Sequence, residues 1–299
     1  MSKTAKFSLI LYLLALVAFE NTHRGKNMKF KIDHDYHIHS LLSTCSRDEK
    51  QTTERILAHA KEHGLDKICI TDHYWDKEVD GASDWYLPQD FAHISRSLPL
   101  PCADGVKFFF GCETDMDKFK TIGIPASRFK DFDFIIVPTT HLHNGGFAID
   151  SEDVGVAERL AKIWVDRLSA VLNSDLPFEK VGIAHLACAL INRKSREEYL
   201  RTLSLIDEEA MRSLFAKAAK LGCGIELNMS DMSFSGEEAD TVLRPFRIAK
   251  EMGCKFYLGS DAHHPKDFGR FVSVFERAVD LLDLTEDDKF HINCKNKLQ

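Results

Sequence analysis

The sequence predicts an α/β barrel of parallel strands with helices outside. Two observations carry this expectation. Seven short apolar runs alternate with helix-forming stretches along 299 residues, and no internal linker rich in Pro, Gly or Ser divides them. Seven repeats favour a closed barrel over an open sheet. A third observation bears on function: six of the seven runs end in histidine or a carboxylate. In parallel barrels the functional groups gather at the carboxyl ends of the strands.

Phe30–Tyr36 reads as strand one and leads into His37 and His39, which alternation places on one face. Thr53–His63 reads as a helix with Ile56, Leu57 and Ala60 on one side and Gly64 as its stop; His59 and His63 fall on its surface. Strand two, Lys67–Ile70, ends in Thr71-Asp72-His73. An aromatic and acidic loop from Tyr74 to Leu87 follows, either a substrate wall or a packed surface loop. Strand three, Val106–Phe110, ends near Glu113, and strand four, Phe134–Val137, near His141 and His143. A helix over about 152–172 carries an apolar stripe that is core packing. Strand five, Lys180–Ala184, ends in His185. A helix over about 207–221 stops at Gly222, and strand six, Gly224–Leu227, ends without a ligand. Pro245 suits the first turn of the next helix, which runs to Met252. Strand seven, Lys255–Leu258, precedes Gly259-Ser260-Asp261-Ala262-His263, and a last amphipathic helix runs through Phe271 to Leu282.

At 44% hydrophobic and 28% charged, the composition is that of a globular domain with an ample core. A net charge of -7 argues against a general nucleic-acid-binding surface. The eight cysteines show no Cys-x-x-Cys spacing, and several sit in apolar runs as small hydrophobes. That usage favours a reducing compartment, the cytoplasm. Lys3 and Lys6 before the apolar run 7–19 give the alternative, an exported or membrane-anchored protein. Residues 1–27 read as a leader or mis-assigned start outside the fold, and 28–299 as one barrel domain.

Imidazoles and carboxylates together suit divalent transition metals, and eight such side chains are too many for one tetrahedral ion. They suit two or three ions, with a carboxylate bridging a pair. Such sites generate a hydroxide at neutral pH and neutralise a phosphoryl oxygen and a leaving group. No Ser-His-Asp arrangement, Walker loop or dinucleotide fingerprint competes for the catalytic role.

Asp35-Tyr36-His37-Ile38-His39-Ser40, Thr71-Asp72-His73, Gly111-Cys112-Glu113, Thr140-His141-Leu142, Ala184-His185-Leu186 and Gly259-Ser260-Asp261-Ala262-His263 resemble the motifs of the PHP (polymerase and histidinol phosphatase) superfamily. The histidinol-phosphatase type is the nearest, over about residues 30–285. The resemblance implies a distorted seven-stranded (β/α)7 barrel, TIM-like, with a trinuclear site of Zn, Mn or Fe. By that resemblance His37, His39, Glu113 and Asp261 hold one ion, and Glu113 bridges to a second held by His141 and His185. His73 and His263 hold the third. Cys45 stands where the family usually has a further histidine and is either a substitute ligand or a bystander. The family pattern favours His141 over His143.

The function implied is a metal-dependent phosphatase that hydrolyses a small phosphomonoester, with L-histidinol phosphate as the named substrate. Glu113, Asp261 and His263 are its catalytic candidates. Arg193, Lys194 and Arg196 could bring positive charge to the phosphate, or simply begin a solvated helix. Asp35 and Asp72 are candidates to orient ligand imidazoles. His264 faces either substrate or solvent. The alternatives are a PHP-type phosphodiesterase acting on nucleotides or short oligonucleotides, and a non-catalytic metal-binding barrel. The partner expected is a small phosphorylated molecule, with no stable nucleic acid and no membrane for the barrel domain.

Overall fold

The structure, a computed structural model, describes residues 28–292. The expectations for residues 1–27 and Cys294 lie outside it. In chain order the strands are β1 (His34–Ile38), β2 (Lys67–Ile70), β3 (His73–Tyr74), β4 (Lys107–Thr114), β5 (Phe134–Pro138), β6 (Val181–Ala184), β7 (Gly224–Asn228) and β8 (Lys255–Gly259). The helices are α1 (Thr53–Glu62), α2 (Phe91–Ile94), α3 (Ala157–Leu172), α4 (Arg196–Leu205), α5 (Glu208–Leu221), α6 (Ala239–Glu251) and α7 (Phe271–Leu282). Among the described residues, no helix is long and apolar enough to cross a membrane.

Every strand pairing is parallel, in the order β1-β2-β4-β5-β6-β7-β8. The two residues of β3 pair with the far end of β4 and so extend the line of β2, which gives seven strand positions. The ring is nearly closed. β8 meets β1 through Asp261 N to His37 O at 2.7 Å, His39 N to Ala262 O at 3.1 Å, and Ser260 N to Asp35 Oδ1 at 3.0 Å. These bonds bring the first and last motifs of the sequence side by side.

Alternation along the strands sorts two cores. Ile68, Ile70, Ile135, Val137, Ile225, Leu227, Phe256 and Leu258 join the large core between sheet and helices. Tyr36, Cys69, Phe109, Phe134, Ile136, Ala184 and Tyr257 form a second cluster inside the ring. Glycine at 182 makes room for its aromatics. A Cβ there would lie 2.5 Å from the Tyr257 hydroxyl and 2.6 Å from Phe134. Phe290, beyond α7, bonds Phe256 O through its backbone N–H at 2.7 Å and packs on Phe134 and Tyr257. It stoppers the end of the ring opposite the strand C-termini.

Several boundaries differ from expectation. β4 extends to Thr114 because its second half pairs with β3 and β5, so Glu113 lies in a strand rather than after one. β1 is shifted to His34–Ile38, and its register slips between Asp35 and Ile38, as a bulge does where side chains are re-aimed. α3 begins at Ala157 because Gly155 sits at φ 79°. Pro245 falls inside α6, which starts six residues earlier at Ala239. His59, expected on the surface, is fully buried and stacks on Phe268 at 4.1 Å, because the chain after β8 covers that face of α1.

Truncating the stopper should leave a void inside the ring. Phe290→Ala is expected to cost about 3–5 kcal/mol in urea unfolding, whereas an unaffected midpoint would show that the tail does not seal the barrel.

Candidate metal centre

At the carboxyl end of the barrel one carboxylate collects four imidazoles. Glu113, 1% exposed, places Oε2 2.9 Å from His73 Nδ1 and 3.4 Å from both His37 Nε2 and His39 Nε2; its Oε1 is 3.2 Å from His185 Nε2. Asp261 adds a second carboxylate, with Oδ1 3.1 Å from His39 Nε2 and 3.5 Å from His37 Nε2. Both His185 (φ 34°) and Asp261 (φ 53°) adopt positive φ without being glycine. Such strain persists only where its surroundings enforce it, commonly at functional sites.

Tautomers can be assigned from the partners of each ring. His37 Nδ1 lies 2.6 Å from Glu226 Oε1, and His263 Nδ1 is 2.8 Å from the Asp261 carbonyl. His141 Nδ1 is 2.9 Å from Asp115 Oδ2. Each partner only accepts, so each Nδ1 carries the proton. His39 Nδ1 meets Ser43 Oγ at 2.9 Å, and Ser43 donates onward to Asp72 Oδ1, so His39 is again the donor. Thr140 Oγ1 donates to the His185 carbonyl and accepts from His185 Nδ1. When these rings are neutral, as metal binding requires, five Nε2 lone pairs are left for the site.

Those lone pairs test whether metal fits. The Nε2 atoms of His37 and His39 stand 3.1 Å apart, and two bare lone pairs that close repel unless a shared proton or a metal ion lies between them. His73 Nδ1 and Glu113 Oε2 are buried and, despite their 2.9 Å separation, are not aligned as a hydrogen bond. Buried polar atoms without partners need a ligand or an ion. Ligand atoms within 4.8 Å of one another form four groups: His37, His39 and Asp261; Glu113, His141 and His185; His39, His73 and His263; and His37, His185 and Glu226. The residues fit a polynuclear metal centre.

Charge in the metal-free cluster is balanced by protons. Burial lowers the pKa of His37, but Glu226, Asp261 and Glu113 outweigh it and raise it well above the usual value. His39 and His185 are raised in the same way, against burial, by their acidic and thiol neighbours. Burial pushes Glu113 up, but His73, His37 and His185 hold it well below the carboxylate range, and His37 and His39 do the same for Asp261.

A second tier holds these rings in place. Arg167, buried on α3, donates to the carbonyls of Thr139, Asp117, Ala148 and Met116 and to Asp115 Oδ1 at 3.1 Å. Asp115 in turn fixes His141. Glu226 bonds His37 through one oxygen and the backbone N–H of His185 through the other at 2.8 Å. It thereby joins β1, β6 and β7.

The PHP domain matches residues 35–230. The chain belongs to the PHP-domain family. As a PHP-domain protein it is a hydrolase of the phosphatase type. It is 24% identical over 239 residues to a probable phosphatase of Caldicellulosiruptor saccharolyticus, covering 78% of this chain and 81% of that one. A histidinol-phosphatase of Lactococcus lactis is 32% identical over 108 residues, 34% of this chain and 37% of that one. Among solved structures, histidinol phosphate phosphatase from Lactococcus lactis, complexed with zinc, L-histidinol and phosphate, superposes with a TM-score of 0.55. Identity is 18%, covering 87% of this chain and 98% of that one. That likeness is one of fold.

His37, His39, His73, Glu113, His141, His185, Asp261 and His263 are brought together by the fold. Cys45 lines the same cavity, yet its sulfur joins none of the four groups, and the third group is completed by His39 instead. Burial, with Asp261 and Glu113 nearby, pushes its thiol pKa up. Asp72 acts on His39 through Ser43, but Asp35 touches no ligand ring; it braces the backbone of His37 and Ser260. His264 pairs with Asp48 at 2.7 Å. Arg196 is bound to Glu238 at 2.7 Å and does not line the cavity, and Arg193 and Lys194 wall a neighbouring one. The strand expected to end without a ligand carries Glu226, which alternation alone turns inward between Ile225 and Leu227. Arg167 was hidden in a helix read as core packing.

Metal uptake requires neutral imidazoles. The raised His37, His39 and His185 hold protons below their shifted pKa values, so loading at pH 7 should release protons, and apparent affinity should rise with pH. Calorimetry in two buffers of different ionisation enthalpy reads this directly, and zero proton release would contradict it. Glu226→Gln should fold but bind metal about 10–100-fold more weakly, by equilibrium dialysis.

Proposed function

We propose that this PHP-domain hydrolase is a metal-dependent phosphomonoesterase acting on a small substrate. The observation that carries the reading is Glu113, one buried carboxylate within 3.4 Å of four imidazole nitrogens from three different strand ends. His37, His39, Glu113 and Asp261 would hold one ion, Glu113, His141 and His185 a second, and His73 and His263 with His39 a third. Zinc, manganese or iron suit this donor set of nitrogen and oxygen. Divalent ions bound there supply Lewis acidity, which lowers the pKa of water and neutralises phosphoryl oxygens.

The chain's own residues do the rest. Glu226, Ser43, Asp115 and Thr140 hold the Nδ1 protons outward and keep each Nε2 aimed inward. Trp85, Tyr86, Phe147 and Leu190 line a cavity of about 470 Å³ over the cluster, which offers an apolar face to a leaving group. Tyr86 also donates to Asp115 Oδ2 at 3.1 Å, which ties this wall to the His141 support. A cavity of that size suits one small ester better than an oligonucleotide. L-Histidinol phosphate is the substrate that the resemblance and the Lactococcus relatives suggest, and its imidazole suits the aromatic wall. Among the described residues, no carboxylate outside the cluster lines the cavity to meet its ammonium group. Hence the site supports the monoester more firmly than the leaving group.

The metal-loaded protein should hydrolyse p-nitrophenyl phosphate and L-histidinol phosphate, lose activity to a chelator and regain it with added metal. Rapid cleavage of bis(p-nitrophenyl) phosphate with no monoester turnover would sink the reading. Asp261→Asn should lower kcat/KM by more than ~10³-fold, about 4 kcal/mol. His263→Ala, at the rim of the cluster, should lower it by only ~10–100-fold. A Glu113→Ala variant with full activity would revive the non-catalytic barrel.

A further inference from the structure

A second cavity of about 440 Å³ lies beside the catalytic one, and His143 lines both. Its wall includes Leu142, Val154, Asn192, Arg193 and Lys194. Neighbouring surface arginines are engaged by carboxylates: Arg196 with Glu238, Arg201 with Glu158, Arg159 with Asp153. Among the described residues, no carboxylate pairs with Arg193 or Lys194. The catalytic cavity, in contrast, has no Lys or Arg in its lining among the described residues. The two cations are thus set apart from the cluster that would take the scissile phosphate, on a cavity that shares His143 with the catalytic one. His143 Nδ1 is itself buried and without a hydrogen-bond partner. Arg193 and Lys194, exposed and without carboxylate partners, border the same concavity as this ring nitrogen, and an anionic group there would meet both charges and, in the Nδ1–H tautomer, a donor.

We propose that this side cavity seats a second anionic group of the substrate, so that the preferred substrates are phosphomonoesters bearing a carboxylate or a further phosphate. The proposal rests on the phosphomonoesterase reading and narrows its substrate class. Arg193 and Lys194 act as specificity determinants here, remote from the bond that breaks. The same charges make a cationic leaving group such as L-histidinol a poorer occupant of that side.

Phenyl phosphate and its 3- and 4-carboxy derivatives isolate the effect, since they differ only in the added charge. With the metal-loaded full chain, kcat/KM for at least one carboxylated ester should exceed that for phenyl phosphate by about tenfold. High salt should erode the preference. An Arg193→Ala/Lys194→Ala variant should bring the ratio to about one while leaving phenyl phosphate unchanged. Parity in the unaltered protein would overturn the proposal. So would an equal loss on all esters in the variant, which would place the two cations on the scissile phosphate instead. Binding of phenylphosphonate and its carboxy derivatives, followed by calorimetry, separates the two readings. A carboxylate preference in binding that the variant abolishes, without turnover of any ester, would uphold the side cavity and reject the phosphatase.

Discussion

Glu113 is a carboxylate taken out of water and surrounded by the nitrogens of His37, His39, His73 and His185. An isolated buried charge of that kind is costly, and only opposite charge and well-aimed donors make it tolerable. In the metal-free protein, protons on His37, His39 and His185 supply the opposite charge. Divalent ions would supply more of it at the same place. The rest of the barrel end is arranged so that this carboxylate and its imidazoles meet: β3 and β4 bring His73 opposite Glu113 in register, and the closure of β8 onto β1 brings Asp261 to His39.

Positioning depends on groups that would never touch a substrate. Nδ1–H bonds to Glu226, Ser43, Thr140, Asp115 and the Asp261 carbonyl fix the tautomer and direction of five rings. Arg167 extends this support outward: its guanidinium ties α3 to the loops that carry Asp115, Thr139 and Ala148. The aromatic wall is joined to the same support through Tyr86 and Asp115. Metal ligation, cavity shape and helix packing therefore share residues.

Much of this was legible in the chain. Apolar runs of strand length separated by helical patterns gave the ring of seven strand positions, because a parallel strand buried on both faces shows as a short continuous run. Placing histidines and acids at the ends of those runs gave the candidate ligands that the fold brings together, because parallel strands all point their carboxyl ends the same way. Glu226 gives no such signal because it sits within a strand rather than after one, turned inward by alternation. His59 was misplaced because helical periodicity does not show what covers the outer face; here the segment carrying Phe268 does.

By itself the sequence determined the parallel α/β class, the order of the motifs and the residue types able to bind metal, since these follow from local pattern and donor chemistry. Tertiary structure alone decided the rest. It set which imidazoles share a carboxylate, how Nδ1 protons fix their lone pairs, and that His39 rather than Cys45 completes the third group. It also set Arg193 and Lys194 on a separate cavity. The physical reason is distance: ligation and hydrogen bonding are decided within about 3 Å, between residues as far apart in the chain as His37 and Glu226, 189 positions.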